Sequence, residues 1–167
     1  MPRSLHSQRG VALVELALVL PLLLAVCFAI TEFGRAIYTY DTLAKSARDA
    51  ARYLTTQTPG SSSAWAIARN LVAYGNPAGT GPALVSGLDS TNAASLVVVC
   101  DASDQPRCAA NLNQGADPTI NTVTVTITGF KFSPLLDVLA FTRFYGGGSG
   151  SIASIPFGDI SVTMRKL

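Results

Sequence analysis

Histidine is almost absent from this chain: the sequence contains one, His6, and none beyond the first ten residues. Serine and cysteine triads ordinarily use a histidine base, and most zinc sites use histidine or clustered cysteine ligands. We therefore predict no enzymatic activity, no metal and no cofactor. The carboxylate pair that would have to serve an exported enzyme is Asp101 and Asp104, which lie in a polar, turn-like stretch.

Charged residues are also scarce, at 13% of the chain, and their signs nearly balance, with a formal net charge of +2. Arg3 and Arg9 account for that excess, because the other basic residues equal the acidic ones in number. Proteins that bind nucleic acid usually carry a basic patch or stripe, and the sequence shows none. We predict no nucleic-acid partner.

Apolar sequence is what the chain has in abundance. The apolar run extends from Gly10 to Ile30, and the twenty residues after Gly10 contain one charge, Glu15. A helix of about 20 apolar residues matches a hydrocarbon core of about 30 Å. Arg3 and Arg9 precede the run without any acidic residue nearby, so the positive-inside rule places the amino end in the cytoplasm and the remainder across the membrane.

Glu15 is the unusual residue of this run. A carboxylate near the centre of a membrane helix costs about 2.5–3.5 kcal/mol, and less near the end, which makes such a residue a functional candidate. If a peptidase cut after Gly10, the new α-amino group of Val11 on a neighbouring subunit could neutralise Glu15, which would then dock one subunit on another. An acid that is tolerated because the helix dipole favours it explains the residue equally well.

A family resemblance rests on the residues around this carboxylate. Arg9-Gly10, then four small or apolar residues, then Glu15 within an apolar helix, resembles the prepilin-peptidase site of type IV pilins and pseudopilins. Together with Pro21 and the Glu-Phe-Gly-Arg segment at 32–35, the stretch looks like the TadE-like proteins of the tight-adherence (Flp) pilus system.

The resemblance implies roles for three of these residues. It implies that residues 1–10 are a cytoplasmic leader, that a membrane aspartic protease removes the leader after Gly10, and that Val11 becomes the amino terminus. It also implies that Glu15 is used in assembly. The partners implied are a prepilin peptidase, other pilin-like subunits and the pilus assembly platform, in addition to inner-membrane lipid.

The three cysteines fall into two groups. Cys27 lies in the apolar run, where we expect it to pack as a small hydrophobic residue. A secretory or lipoprotein cleavage site around Cys27 is an alternative that fits poorly, because Glu15 interrupts the apolar region. Cys100 and Cys108 fall on the predicted exported side, where disulfides persist. We favour a disulfide between them over two free thiols.

The helix is predicted to continue well beyond the membrane, because apolar residues recur at helical spacing as far as Thr55. Residues 11–30 then form the transmembrane helix and residues 31–56 an extracytoplasmic helical stalk. Alanines along the stalk leave a narrow face for close packing, either on the chain's own domain or on a neighbouring subunit.

Residues 57–167 are predicted to form an exported α+β domain. A second helix over 64–74 is expected to start at a Ser62 or Ser63 cap and to end at Gly75. The strands and the last short helix follow from apolar runs, alternation and a serine-proline helix start. They are a strand at 96–100, a strand at 122–128, a helix opening at Ser133-Pro134 and a strand at 160–164.

The predicted fold class is α+β and pilin-like, with a long, partly transmembrane amino-terminal helix packed on a small antiparallel sheet. The predicted function is that of a minor pilin or pseudopilin that takes part in assembly of a tight-adherence pilus and in surface attachment. The alternative is an uncleaved, single-span, membrane-anchored binding module. In either case the exported domain is expected to be periplasmic or extracellular.

Overall fold

The computed structural model describes residues 8–101, 122–135 and 154–166. The described elements form three helices and five strands, which confirms the α+β arrangement predicted above. In chain order they are α1 (Gln8–Thr55), α2 (Ser62–Tyr74), α3 (Ala93–Leu96), β1 (Val97–Cys100), β2 (Thr122–Ile127), β3 (Lys131–Phe132), β4 (Ile155–Pro156) and β5 (Ile160–Arg165).

Helix α1 is a single helix of 48 residues that runs through Pro21 and ends at Thr55, as the spacing predicted. Among the described residues it is the one helix long and apolar enough to cross a membrane. Most side chains of its apolar run are exposed, because no other element that the structure describes covers them. Such a surface is suited to lipid or to neighbouring helices.

The chain divides into two compact units. The first comprises Met1–Ala36 and Pro134–Ala153, and the second comprises Ile37–Ser133 and Ser154–Leu167. The second unit contains a hydrophobic core to which α1, α2 and the sheet each contribute buried side chains. Its helical part is rich in alanine, which allows close packing of backbones. The buried residues include Leu43, Ala47, Ala50, Ala51 and Leu54 of α1, Ala68 and Val72 of α2, and Val97, Val99, Val123 and Val125 of the sheet.

Helix α2 is capped at both ends by residues next to it in the sequence. The Ser61 side chain accepts a hydrogen bond from the Ala64 N–H at 3.3 Å and so caps the amino end. The predicted cap, at Ser62 or Ser63, was therefore wrong by one or two residues. Gly75 ends the helix in the left-handed conformation, with φ of 70°, as glycine commonly does at this position.

The main sheet is antiparallel and has the strand order β1-β2-β5. Alternation in β2 directs Val123, Val125 and Ile127 into the core, as predicted. The hydroxyl groups on the other face pair across the strands, since Thr124 and Thr163 oxygens lie 2.8 Å apart. One face is thus apolar and buried, and the other is held by polar cross-strand pairs.

Three further features differ from the sequence predictions. Strand β1 begins at Val97, because Leu96 belongs to the short helix α3. Strands β3 and β4 form a separate two-stranded sheet that was not predicted, since two-residue strands are too short to show alternation. Ser133 and Pro134 are not helical in the structure, and the rest of the helix predicted there lies outside the described residues.

Candidate functional site

The predicted cleavage residues lie in the first turns of α1. Gly10 and Val11 are both exposed and helical. A Cβ added at Gly10 would meet nothing within 4 Å, so the fold places no steric requirement on glycine at this position. A requirement for glycine at Gly10 would therefore have to come from something that binds it.

Glu15 is exposed on the same part of α1. Its side chain shares one helix face with Val11, Val14 and Leu18. Val11 lies four residues before Glu15 and Leu18 three residues after it, which is the spacing of neighbours on a helix. Among the residues that the structure describes, no hydrogen bond or ion pair involves the Glu15 carboxylate. An acid on an otherwise apolar helix face would need an outside partner to enter an apolar environment without a large penalty.

A second carboxylate on α1, Glu32, is arranged in the opposite way. It is only 9% exposed, and the Arg35 guanidinium donates to both of its oxygens, at 2.7 and 3.0 Å. The Leu135 backbone N–H also donates to Glu32, at 3.4 Å. Glu32 is thus neutralised within its own chain, and it holds the start of the segment that follows Ser133 against the helix.

Asp101 is the third carboxylate of interest, because the sequence paired it with Asp104 as a candidate catalytic dyad. Asp104 lies outside the described residues. Asp101 is buried after β1, where its Oδ2 atom accepts hydrogen bonds from the Gly60 N–H at 2.8 Å and from the Trp65 indole N–H at 3.0 Å. These contacts assign Asp101 a structural task in joining the α1–α2 loop to the sheet.

The cysteines occupy different surroundings. Cys100 is buried at the end of β1, while its predicted disulfide partner, Cys108, lies outside the described residues. The pairing therefore stays a prediction. Cys27 is a free cysteine exposed on the apolar part of α1. In the described part of the chain, no group of three histidine, cysteine, aspartate or glutamate residues is placed to hold a metal ion.

Comparison with known proteins adds one finding to this geometry. The family model described as TadE-like protein matches residues 10–52. The amino-terminal segment is TadE-like. No curated protein and no solved structure gave a significant match to the chain.

The TadE-like segment begins at Gly10 and contains both glutamates of α1, Glu15 and Glu32. It covers about a quarter of the chain and ends at Arg52, three residues before the end of α1. The resemblance predicted from the sequence is thereby confirmed for this segment. The match is consistent with a TadE-like protein of the tight-adherence pilus system.

Glu32 is the site residue that sequence reasoning missed within the TadE-like segment. The signal available was the three-residue spacing of Glu32 and Arg35, which suits an ion pair on one helix face. The contact with Leu135 had no local signal, because the two residues are 103 positions apart.

Proposed function

We propose that the protein is a minor pilin or pseudopilin of a tight-adherence (Flp) type pilus, cleaved after Gly10 by a prepilin peptidase. Its role would be structural and not enzymatic, in pilus assembly and surface attachment. The observation that carries the proposal is that the TadE-like match starts at Gly10 and includes Glu15, which is exposed on a helix long and apolar enough to span a membrane.

The proposed topology follows from the charges beside the apolar run. Arg3 and Arg9 precede it, and positive residues stay preferentially on the cytoplasmic side. The chain would then cross the inner membrane once, with its amino end in the cytoplasm and the domain after α1 in the periplasm or outside the cell. The same topology would carry the domain into a pilus if the mature chain enters one.

Assembly would depend on Glu15. In a membrane or a helix bundle its charge requires a partner, and the described part of its own chain supplies none. Cleavage after Gly10 would create an α-amino group on Val11, one helical turn before Glu15. The amine of one subunit paired with the Glu15 carboxylate of another would neutralise both charges. The further partners proposed are the prepilin peptidase and the assembly platform.

The test is the intact mass of the full chain, produced with and without its prepilin peptidase. Gly10→Ala is the informative variant, because the added Cβ meets no neighbour and alanine is the better helix former. Gly34→Ala is the matched control: it makes the same chemical change in the same helix, and its Cβ also meets nothing within 4 Å.

Peptidase-dependent loss of residues 1–10 is expected in the wild type and in Gly34→Ala, and it should be blocked in Gly10→Ala. An unchanged wild-type mass beside an active peptidase would contradict the proposal. The chain would then be an uncleaved, single-span, membrane-anchored binding module.

A further inference from the structure

The second unit exposes large apolar side chains in an uneven way. Its described residues include five exposed large apolar side chains. Three of them lie in the first four positions of the unit, a fourth is on β4, and the fifth is Leu84. The later part of α1 and strands β1, β2 and β5 expose none. We name the exposed Ile37, Tyr38, Tyr40 and Ile155, together with the half-buried Phe157 that Tyr40 contacts, the aromatic collar.

The aromatic collar is held by the core of the unit. The rings of Tyr40 and Phe157 meet edge to face, with centroids 5.9 Å apart. Phe157 also stacks on the buried ring of Phe132 at 5.9 Å and contacts the buried ring of Phe130 at 5.6 Å. Its backbone N–H donates to the Phe130 carbonyl at 2.9 Å. The Tyr40–Phe157 part of the aromatic collar is therefore preformed, and it needs little ordering before it binds.

The position of the aromatic collar along α1 limits what can cover it. Ile37 follows Ile30, the end of the apolar run, by seven residues of continuous helix, a rise of about 10 Å. The polar headgroup region adds about 5–8 Å on each side of the hydrocarbon core. The first collar residues thus lie at or just beyond headgroup depth, where tyrosine is enriched in membrane proteins.

The distribution of these side chains around α1 also favours lipid. Ile37, Tyr38 and Tyr40 are 54%, 73% and 48% exposed. At 100° per residue they cover an arc of about 160°. A single partner helix packs on a narrower stripe, whereas a bilayer surrounds the helix on every side that its own domain leaves open.

Charges next to the aromatic collar cancel. On α1 the Lys45 ammonium lies 2.6 Å from the Asp41 carboxylate. The exposed Lys131 of β3 is balanced in number by the exposed Asp159 of the loop between β4 and β5. The surface therefore offers anionic lipid no excess of positive charge, and apolar contact would dominate.

We propose that the aromatic collar binds the headgroup region of the bilayer and seats the second unit on the membrane surface. The proposal rests on the membrane anchoring in the proposed function and is independent of cleavage and of pilus assembly. Binding is expected with zwitterionic lipid alone and should not weaken as salt is raised, because no net charge is involved.

The experiment places a tryptophan in the aromatic collar of the full chain in phosphatidylcholine vesicles. Tyr38→Trp reports on the collar, and Ile37→Trp is a second reporter in case the first variant is poorly folded. Thr58→Trp, exposed in the loop after α1, is the matched control. The emission of the native Trp65, measured in the wild type, is subtracted. The probe is phosphatidylcholine brominated near the headgroup, which quenches tryptophan at that depth.

Loss of Tyr38→Trp and Ile37→Trp emission in brominated vesicles, without loss for Thr58→Trp, is the expected result. If brominated lipid left the emission of all three variants unchanged, in vesicles that retain the protein, the proposal would be overturned while the anchoring stayed intact. Emission that is shielded from an aqueous quencher, insensitive to brominated lipid and dependent on protein density would also overturn it and assign the surface to a second copy. Neither outcome depends on whether residues 1–10 are removed.

Discussion

The indole N–H of Trp65, in the first turn of α2, donates a hydrogen bond to the Asp101 carboxylate across 3.0 Å. The same carboxylate oxygen accepts the Gly60 N–H from the loop before α2. One buried acid thus joins two segments that are some forty residues away from it in the chain. The geometry accounts for an acid and a tryptophan that have no pattern of their own in the sequence.

Replacement of Asp101 by alanine is expected to destabilise the second unit. The change leaves the Gly60 and Trp65 N–H groups without their acceptor. Because neither residue is fully buried, we expect a cost of about 1 kcal/mol, at the low end of the range for a lost buried partner. Trp65→Phe keeps an aromatic ring and removes one donor, so its effect should be smaller. Urea unfolding of the full chain in detergent, followed by circular dichroism, measures both.

Asp159→Ala is the control for loss of a carboxylate, because Asp159 is exposed and surface substitutions usually change stability by less than about 0.5 kcal/mol. If Asp101→Ala unfolded at the same urea concentration as Asp159→Ala, the structural task assigned to Asp101 would be wrong.

The two glutamates of α1 provide a matched pair for testing assembly. Glu15→Gln keeps the size of the side chain and removes the charge proposed to dock subunits. We expect it to abolish co-purification of two differently tagged copies from membranes of a host that carries the assembly machinery. Glu32→Gln should leave co-purification unchanged, since Arg35 already neutralises that acid within the chain.

The expected effect of Glu32→Gln is local. It weakens an ion pair at 2.7 Å and the contact with the Leu135 N–H, so hydrogen exchange of the Leu135 amide should become faster. Equal loss of co-purification in both variants would mean that Glu15 has no special part in docking.

Local sequence signals predicted the elements that depend on short-range physics. Helical spacing gave α1 to its last residue, Thr55, and the need for a left-handed residue gave the end of α2 at Gly75. Strict alternation gave β2 and its buried face. In each case the residues that decide the structure are neighbours in the chain.

The remainder depends on contacts that are distant in sequence. The acceptor of Trp65 is 36 positions away, and the partner of Glu32 at Leu135 is 103 positions away. The pair of two-residue strands exists because Phe132 and Ile155 meet across the fold, and no pattern within two residues can show that. The candidate site was easier to predict from the sequence, because Gly10 and Glu15 lie close together in one helix.

The predicted disulfide can be tested by alkylation of the denatured chain and intact mass. The sequence has three cysteines, and Cys27 is free. Without reductant we expect one adduct, on Cys27, and after reduction we expect three. Three adducts before reduction, in protein taken from an oxidising compartment, would show that Cys100 and Cys108 are unpaired thiols there. If the disulfide is present, a Cys108→Ser variant should show two adducts under both conditions, because Cys100 loses its disulfide partner.

Gly75→Ala should destabilise the end of α2 for two separable reasons. Gly75 has φ of 70°, and a side chain in the left-handed region costs roughly 1–2 kcal/mol. A Cβ there would also lie 3.3 Å from the Leu84 Cδ2 atom, so that side chain must move. We expect a lower urea midpoint for the full chain in detergent.

Gly81→Ala separates the two reasons, because Gly81 also has a positive φ, of 93°, but a Cβ there meets nothing within 4 Å. Gly75→Ala should therefore lower the midpoint more than Gly81→Ala does. Adding Leu84→Ala to each variant should reduce the difference between them, since it removes the atoms that the new Cβ meets. A difference that persists in the Leu84→Ala background would show that the backbone at the end of α2, and not the contact with Leu84, sets the cost.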